Sequence, residues 1–346
     1  MAHITFESMK KNTLILHIGT AKTGTTSIQD FLTLNRPKLK EAGVLYATSF
    51  GPAKLVAFTE GEPWTFAKPK FGIDSTEKQD NFRSHLEQKF RDELNDDGCR
   101  QAIISNELLH ARISNPEQIR SLKTMLDKYF LSIKVIVYFR RQDLMAVSRY
   151  STALIAGYLP SGHFNNPDKH YYDFFAIYQK WANCFGTENV KARIFSKEHF
   201  INGNLIDDFC AVANIPENCG LVIPERKNEA FSLDLECLVF ELNLRLKEGE
   251  LNMTPATKGK LIETLRKQFK GSVRYPSRQS AMNFHQLFAP SNTALQKQLG
   301  AAMPPLFNDD FSMYPEREDI GLLQERRLWA KKALDDVLAT HYEKSE

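Results

Sequence analysis

The sequence predicts an α/β fold: a parallel β-sheet flanked by helices, with a helical C-terminal extension. Three observations carry this expectation. Four short apolar runs read as strands: LILHI (14–18), QAIIS (101–105), IKVIVYF (133–139) and VKARIF (190–195). Segments of helical periodicity separate them. The first run breaks directly into a loop holding Gly19 and Gly24, and a helical pattern follows the loop. Strands alternating with helices imply a parallel sheet covered on both faces. Such sheets bind ligands at the carboxyl ends of their strands. Motifs directly after strands therefore weigh most.

Taken in order, the strand at 14–18 leads through the glycine loop into a helix. The stretch 46–76 follows, with Gly51, Pro52, Gly61, Pro63, Pro69 and Gly72 among scattered aromatics. It reads as a long excursion between helices, of the kind that is often functional. NFRSHLEQKFRDEL (81–94) sets Phe82, Leu86, Phe90 and Leu94 on one helical face. NPEQIRSLKTMLDKYF (115–130) opens with a capping Asn115 and Pro116, then carries Ile119, Leu122, Leu126 and Phe130. DLMAVSRYSTALIAG (143–157) and YYDFFAIYQKWANCFG (171–186) read as helices ending at glycine. From Pro224 onward the pattern is mostly helical, in SLDLECLVFELNLRL (232–246), TKGKLIETLRKQFKG (257–271) and the segment 319–342. The expected organisation is one domain. Residues 1–223 form an α/β core with the excursion 46–76, and residues 224–346 a mostly helical part of the same domain.

The 346 residues are 42% hydrophobic and 25% charged, enough to build a real core. Net charge is +3, from 45 basic and 42 acidic residues, too small to argue for nucleic acid or an anionic membrane by charge alone, and neither is expected as a partner. Any anion site must be local. Cys99, Cys184, Cys210, Cys219 and Cys237 are odd in number and contain no CxxC pair, so neither a zinc site nor a disulfide framework is expected. The run 14–18 is too short for a membrane span or a signal core. The chain reads as cytoplasmic, without stable membrane insertion, and its oligomeric state is left open.

The loop after the first strand reads as an anion cradle. Its glycines permit unusual backbone angles that turn N–H groups inward, and the following helix adds its N-terminal dipole. Thr25, Thr26 and Ser27 offer hydroxyls, and Lys22 a mobile charge. A nucleotide-binding P-loop needs lysine directly after its second glycine. Here Thr25 stands there and Lys22 lies inside the loop. No strand ends in an apolar-apolar-Asp pattern that would help to hold magnesium, and IKVIVYF runs into Arg140 and Arg141. The loop therefore reads as holding an anion without a metal. The plain alternative is a Gly/Thr turn that only caps a helix.

HIGTAKTGTTSIQ (17–29) resembles the 5′-phosphosulfate loop of sulfotransferases that use 3′-phosphoadenosine 5′-phosphosulfate, PAPS. Ala21 replaces that family's usual proline, while Lys22, Gly24, Thr25 and Thr26 stand in place. A second motif, an arginine followed eight residues later by a serine, resembles Arg140 and Ser148. Gln142 stands where the family often has proline. The resemblance, to the bacterial and carbohydrate type, covers about residues 14–200. It implies a P-loop NTPase-like sulfotransferase fold, PAPS as co-substrate, PAP as product and no metal. It implies that Ala21, Lys22, Thr23, Gly24, Thr25, Thr26 and Ser27 bind the phosphosulfate, with Lys22 on the oxygen between sulfur and phosphorus. Arg140 and Ser148 would bind the 3′-phosphate, a guanidinium and a helical hydroxyl converging on one group.

Sulfuryl transfer to an alcohol needs a general base. The segment AIISNELLH supplies Glu107 just past a strand and His110 one helical turn later. Glu107 is the favoured base and His110 the second choice. The plain reading of Glu107 is a carboxylate stabilising its own helix. His17 reads as buried and hydrogen-bonded. Two further basic pairs, Arg226 with Lys227 and Arg274 with Arg278, could reach the 3′-phosphate or adenine from the C-terminal part, though such charges usually lie solvated. The expected acceptor is a hydroxyl of a carbohydrate, glycolipid or small natural product. The alternatives are a P-loop kinase or nucleotide hydrolase, and a PAP-binding protein without turnover.

Overall fold

The structure is a computed structural model and describes residues 11–95, 98–113, 115–165, 167–217, 219–224, 231–300 and 305–342. The chain opens with β1 (Lys11–His17), α1 (Thr25–Leu34), α2 (Arg36–Glu41), β2 (Val44–Tyr46), α3 (Pro52–Thr59), α4 (Ala67–Phe71) and α5 (Thr76–Leu94). There follow β3 (Gln101–Ser105), α6 (Leu108–Arg112), α7 (Pro116–Leu126), β4 (Phe130–Phe139), α8 (Gln142–Ile155), α9 (Lys169–Tyr172), α10 (Phe174–Phe185), β5 (Val190–Ile194) and α11 (Leu205–Val212). The remainder is helical: α12 (Leu233–Glu248), α13 (Pro255–Gln268), α14 (Arg278–Gln286), α15 (Ala289–Leu299) and α16 (Ile320–Tyr342).

Two compact units interleave along the chain. The first takes Met1–Arg140, Asp168–Arg226 and Ala289–Phe307; the second takes Arg141–Pro167, Lys227–Phe288 and Asn308–Glu346. No shift in composition marks the crossings at 140, 167, 288 and 307.

The first unit is an α/β layer structure. Its five strands are all parallel, in the order β2-β3-β1-β4-β5. Central strands read as continuous apolar runs because both faces are covered. Val135, Ile136, Val137, Tyr138 and Phe139 are at most 1% exposed. On one face, Ile28, Phe31 and Leu32 of α1 and Ile206 and Phe209 of α11 pack against Ile15, Ile103, Ile136 and Tyr138. Residues of opposite parity meet α10, where Phe139 stacks on Phe174 at 4.7 Å between ring centroids. The register pairs His17 with Ser105 on one side and Ile136 on the other, so β1 ends between β3 and β4.

Several expectations change, among them the single helix expected over 171–186, which breaks at Asp173, the N-cap of α10. The three-residue strand β2 is added at the edge, inside a stretch too short and too close to the glycine-rich excursion to stand out. The excursion 46–76 is not one long loop: it contains α3 and α4. Glu60, 8% exposed, lies between them and makes the second helix possible. Its carboxylate accepts from the N–H groups of Phe66 and Ala67 and from the Thr65 hydroxyl, satisfying donors that a helix start leaves orphaned. Ala57, Ala67 and Ile73 form a small core there with Trp64, Phe66, Phe71 and Phe82. Finally, the helix expected over 115–130 stops at Leu126. The N–H groups of Lys128 and Tyr129 turn back to Met125 and Leu126, and Phe130 opens β4 instead.

The second unit is helical. Tyr150 and Leu154 of α8 share a core with Leu235, Leu238 and Leu242 of α12, Leu265 of α13, and Ala330 and Leu334 of α16. Arg141, 5% exposed, pairs with the fully buried Asp143, donates to the Asn308 and Asp310 carbonyls, and lies 4.2 Å over the Phe311 ring. The Tyr314 hydroxyl donates to Asp143, 2.6 Å away. Arg274, its side chain 10% exposed, pairs with Glu236 and Glu318 and so departs from the solvated reading, whereas Arg278 pairs with the exposed Glu316 at the surface. Arg226 and Lys227 lie outside the described residues.

Candidate functional site

The carboxyl ends of β1, β3 and β4 meet in the first unit, and each leads into a residue singled out by its chemistry. The loop after β1 is fastened to β4. Thr20 donates its N–H to the Tyr138 carbonyl at 3.1 Å, and the Tyr138 N–H donates to Gly19 at 2.7 Å. The Thr20 hydroxyl also donates to the Tyr138 carbonyl, at 2.9 Å. The buried Thr23 hydroxyl donates to the Thr20 carbonyl at 2.6 Å, and that of Thr25 does so at 3.4 Å. These two threonines brace the loop with their side chains.

Lys22, at φ 68°, and Gly24, at φ 74°, take left-handed backbone conformations. Left-handed residues alternating with ordinary ones aim successive N–H groups into one concavity. Gly24 is the N-cap of α1, and Ile28 is where the helical ladder begins, its N–H bonded to the Gly24 carbonyl at 3.1 Å. The N–H groups of Thr25, Thr26 and Ser27 precede that ladder and carry the helix's positive end. Thr26 is exposed; Ala21, Lys22 and Ser27 are half-buried. A Cβ at Gly24 would run into Leu205 Cδ2 and stand 3.1 Å from Phe195 Cε2, so both the angle and the space require glycine.

Arg140 follows β4 and comes to the same loop. Its NH1 donates to the Lys22 carbonyl at 3.1 Å, and its guanidinium lies 5.6 Å from the centroid of the Phe195 ring. Ser148 belongs to the second unit, on α8.

Glu107 is the N-cap residue of α6, but its side chain does not cap that helix. The fully buried Asn106 does so, accepting from the Leu108 N–H at 3.0 Å. The Glu107 carboxylate instead accepts from Gln29 Nε2 at 2.9 Å. A Cβ placed on Gly19 would stand 3.3 Å from Glu107 Cα, so the loop's first residue packs directly on the glutamate. Tyr46 lies in its field: burial first, and then the Glu107 charge, push the Tyr46 hydroxyl above its usual range. Asn106 also donates to the Pro52 carbonyl at 3.1 Å, which ties the start of α3 to the same strand end.

His110 is buried, its ring stacked on His170 at 5.8 Å and edge-on to Tyr171 at 5.4 Å. His17 is fully buried, with Nδ1 2.8 Å from Ser105 Oγ and its ring edge-on to Tyr138 and Phe209. Burial holds its pKa down at about 3, so it is a neutral brace under the loop.

The structure thus brings Lys22, Glu107 and Arg140 around one loop. It adds Gln29, Ser105, Asn106 and Phe195, to which the sequence motifs assign no role. Only Gln29 had a usable signal, lying one helical turn after Thr25 on the same face. The five cysteines are free thiols, and no described helix is long and apolar enough to cross a membrane.

No protein-family model matches the chain. Over 145 residues, 39% of this chain, it is 28% identical to an uncharacterized protein of Archaeoglobus fulgidus, and the match spans 37% of that protein's length. The crystal structure of a sulfotransferase from Alicyclobacillus acidocaldarius is similar over 72% of this chain and 99% of that one, with a TM-score of 0.39 and 14% identity. Likeness at that level assigns no activity.

Proposed function

We propose that this chain is a sulfotransferase. It would move the sulfuryl group of PAPS to a hydroxyl of a carbohydrate, glycolipid or small natural product. The observation that supports this reading best is the meeting of a carboxylate, Glu107, with a glycine loop whose lysine is Lys22. Gly19 packs on Glu107, and Arg140 bonds the Lys22 carbonyl.

The cradle suits a phosphosulfate. Backbone N–H groups from the loop and the start of α1 would hold its oxygens, with hydroxyls of Thr26 and Ser27 nearby. Arg140 would take the 3′-phosphate as a planar fork, with Ser148 assigned to the same group from its sequence spacing. PAPS supplies an activated sulfuryl group. Glu107 accepts the proton of the acceptor hydroxyl as the new oxygen–sulfur bond forms. The bond from sulfur to the phosphate oxygen breaks, and PAP leaves with that electron pair, its growing charge offset by Lys22. The excursion with α3, tied to Asn106 beside Glu107, would shape the acceptor side. Five free thiols fit a reducing cytoplasm.

The test is thermal-shift titration with PAP and with ATP, each with and without magnesium, followed by transfer of labelled sulfate from PAPS to an acceptor library. Stabilisation by PAP without magnesium, then labelled product, is expected. Magnesium-dependent ATP binding with indifference to PAP would overturn the reading in favour of a kinase or hydrolase. PAP binding with no labelled product would leave a binding protein.

A further inference from the structure

We infer that Gln29 is a positioning residue for Glu107, an inference that rests on the sulfotransferase reading above. Gln29 lies on α1 and is half-buried. Its amide nitrogen carries two protons and has two acceptors in reach: the Ser105 carbonyl at 3.2 Å and Glu107 Oε2 at 2.9 Å. Ser105 ends β3, inside the paired sheet. The amide is therefore held by the sheet on one side and holds the carboxylate on the other.

This arrangement has a chemical consequence. A glutamate has three side-chain torsions, and a free one samples many positions. A general base must lie within hydrogen-bond reach of the proton it removes. Occupying Oε2 fixes the carboxylate plane and leaves Oε1 to take the acceptor's proton. The donor is also mounted on the helix whose first turn forms the anion cradle. Gln29 thus ties the distance between base and cradle to one rigid element. Asn106, not Glu107, caps α6, so the carboxylate is spared for this contact.

Gln29→Leu removes the donor at similar size, and Gln29→Glu keeps the shape while setting a second carboxylate against Glu107. Either should lower kcat by roughly 10- to 100-fold, the scale of a misplaced reacting group. PAP affinity of Gln29→Leu, measured by calorimetry, should stay within about twofold, since that change leaves the charge and the backbone of the cradle as they are. In a Glu107→Gln background, Gln29→Leu should cost less than about twofold further, because the base it orients is already gone. On ligand-free protein, urea unfolding of Gln29→Leu, Glu107→Ala and the double variant should show non-additive midpoints. A purely structural Gln29 would instead weaken PAP binding together with kcat and cost the same in both backgrounds, which would overturn the inference. So would full turnover in both Gln29 variants of an enzyme that does transfer sulfate. If the unmutated chain neither binds PAP nor transfers sulfate, the parent reading falls and this one falls with it.

Discussion

Arg140 NH1 donates to the main-chain carbonyl of Lys22 across 3.1 Å, so the two basic residues that the motifs assign to opposite ends of one nucleotide are joined through the loop. The contact engages one of the five guanidinium donors. Arg140→Ala is expected to weaken PAP binding by about 10- to 100-fold, the range for losing a hydrogen bond to a charged group. Arg140→Lys should fall between, keeping charge without the fork. Calorimetry showing unchanged PAP affinity in Arg140→Ala would remove Arg140 from the site.

Lys22 is half-buried, and its left-handed backbone is as demanding for alanine as for lysine. Lys22→Ala should therefore leave the melting temperature nearly unchanged while transfer drops by about 10²-fold or more, as when one charge-stabilising donor is lost. Near-normal turnover in the variant would refute its assigned role.

Glu107→Gln should cut turnover by about 10²- to 10⁴-fold, the usual contribution of a general base, with PAP affinity kept. His110 is packed against His170 and Tyr171, so His110→Ala opens a cavity and should mainly lower stability. A stable His110→Ala protein with that same loss of turnover would transfer the base assignment to His110.

Gly24→Ala places a Cβ against Leu205 and Phe195 at φ 74°. The left-handed conformation alone costs alanine roughly 1–2 kcal/mol. Urea denaturation should show at least that loss, and PAP binding should fall as α1 shifts away from the loop. A variant as stable as the parent would mean that the backbone relaxes freely there.

Acid stability offers a check on the core beneath the loop. His17 titrates ordinarily near 6.5 but is held at about 3 in the fold by burial. As pH falls below about 6.5, the unfolded chain takes up a proton that the folded one refuses. The stability is complete above that pH and drains away between about 6.5 and 3, at up to ~1.4 kcal/mol per pH unit. His163 in the second unit behaves alike, lowered to about 3 by burial and then by the Arg274 charge. His17→Gln should flatten the slope of urea midpoints between pH 6.5 and 5. An unchanged slope would show that His17 reaches solvent before it protonates.

Much of this was legible in the chain itself, for physical reasons. Strands β1, β3 and β4 are largely covered on both faces, and that demands the apolar runs seen in the sequence, whereas the edge strand β5 alternates, with Lys191 exposed between buried Val190 and Ala192. Strand β2 has only three residues and left no such trace. Helices α3 and α4 were hidden because Gly51 and Pro52 read as breakers, whereas here they are an N-cap and a first-turn residue. The carboxylate that starts α4, Glu60, could be recognised only from its contacts. Lys22, Glu107 and Arg140 could be picked out because each follows a strand end. Gln29 meets Glu107 across 78 positions of chain, and Leu205 and Phe195 close over Gly24 from still farther away. Only the folded sheet creates those distances.

The fastening of the loop to Tyr138 has one more implication. Strand β4 is paired on both sides, and the Tyr138 hydroxyl donates to Asp208, which Arg193 of β5 also grips. If the loop binds an anion as proposed, that anion meets a receptacle whose shape was settled when the sheet formed. Little of its binding energy need be diverted to organising the main chain, and a modest set of contacts can deliver a correspondingly larger share as affinity.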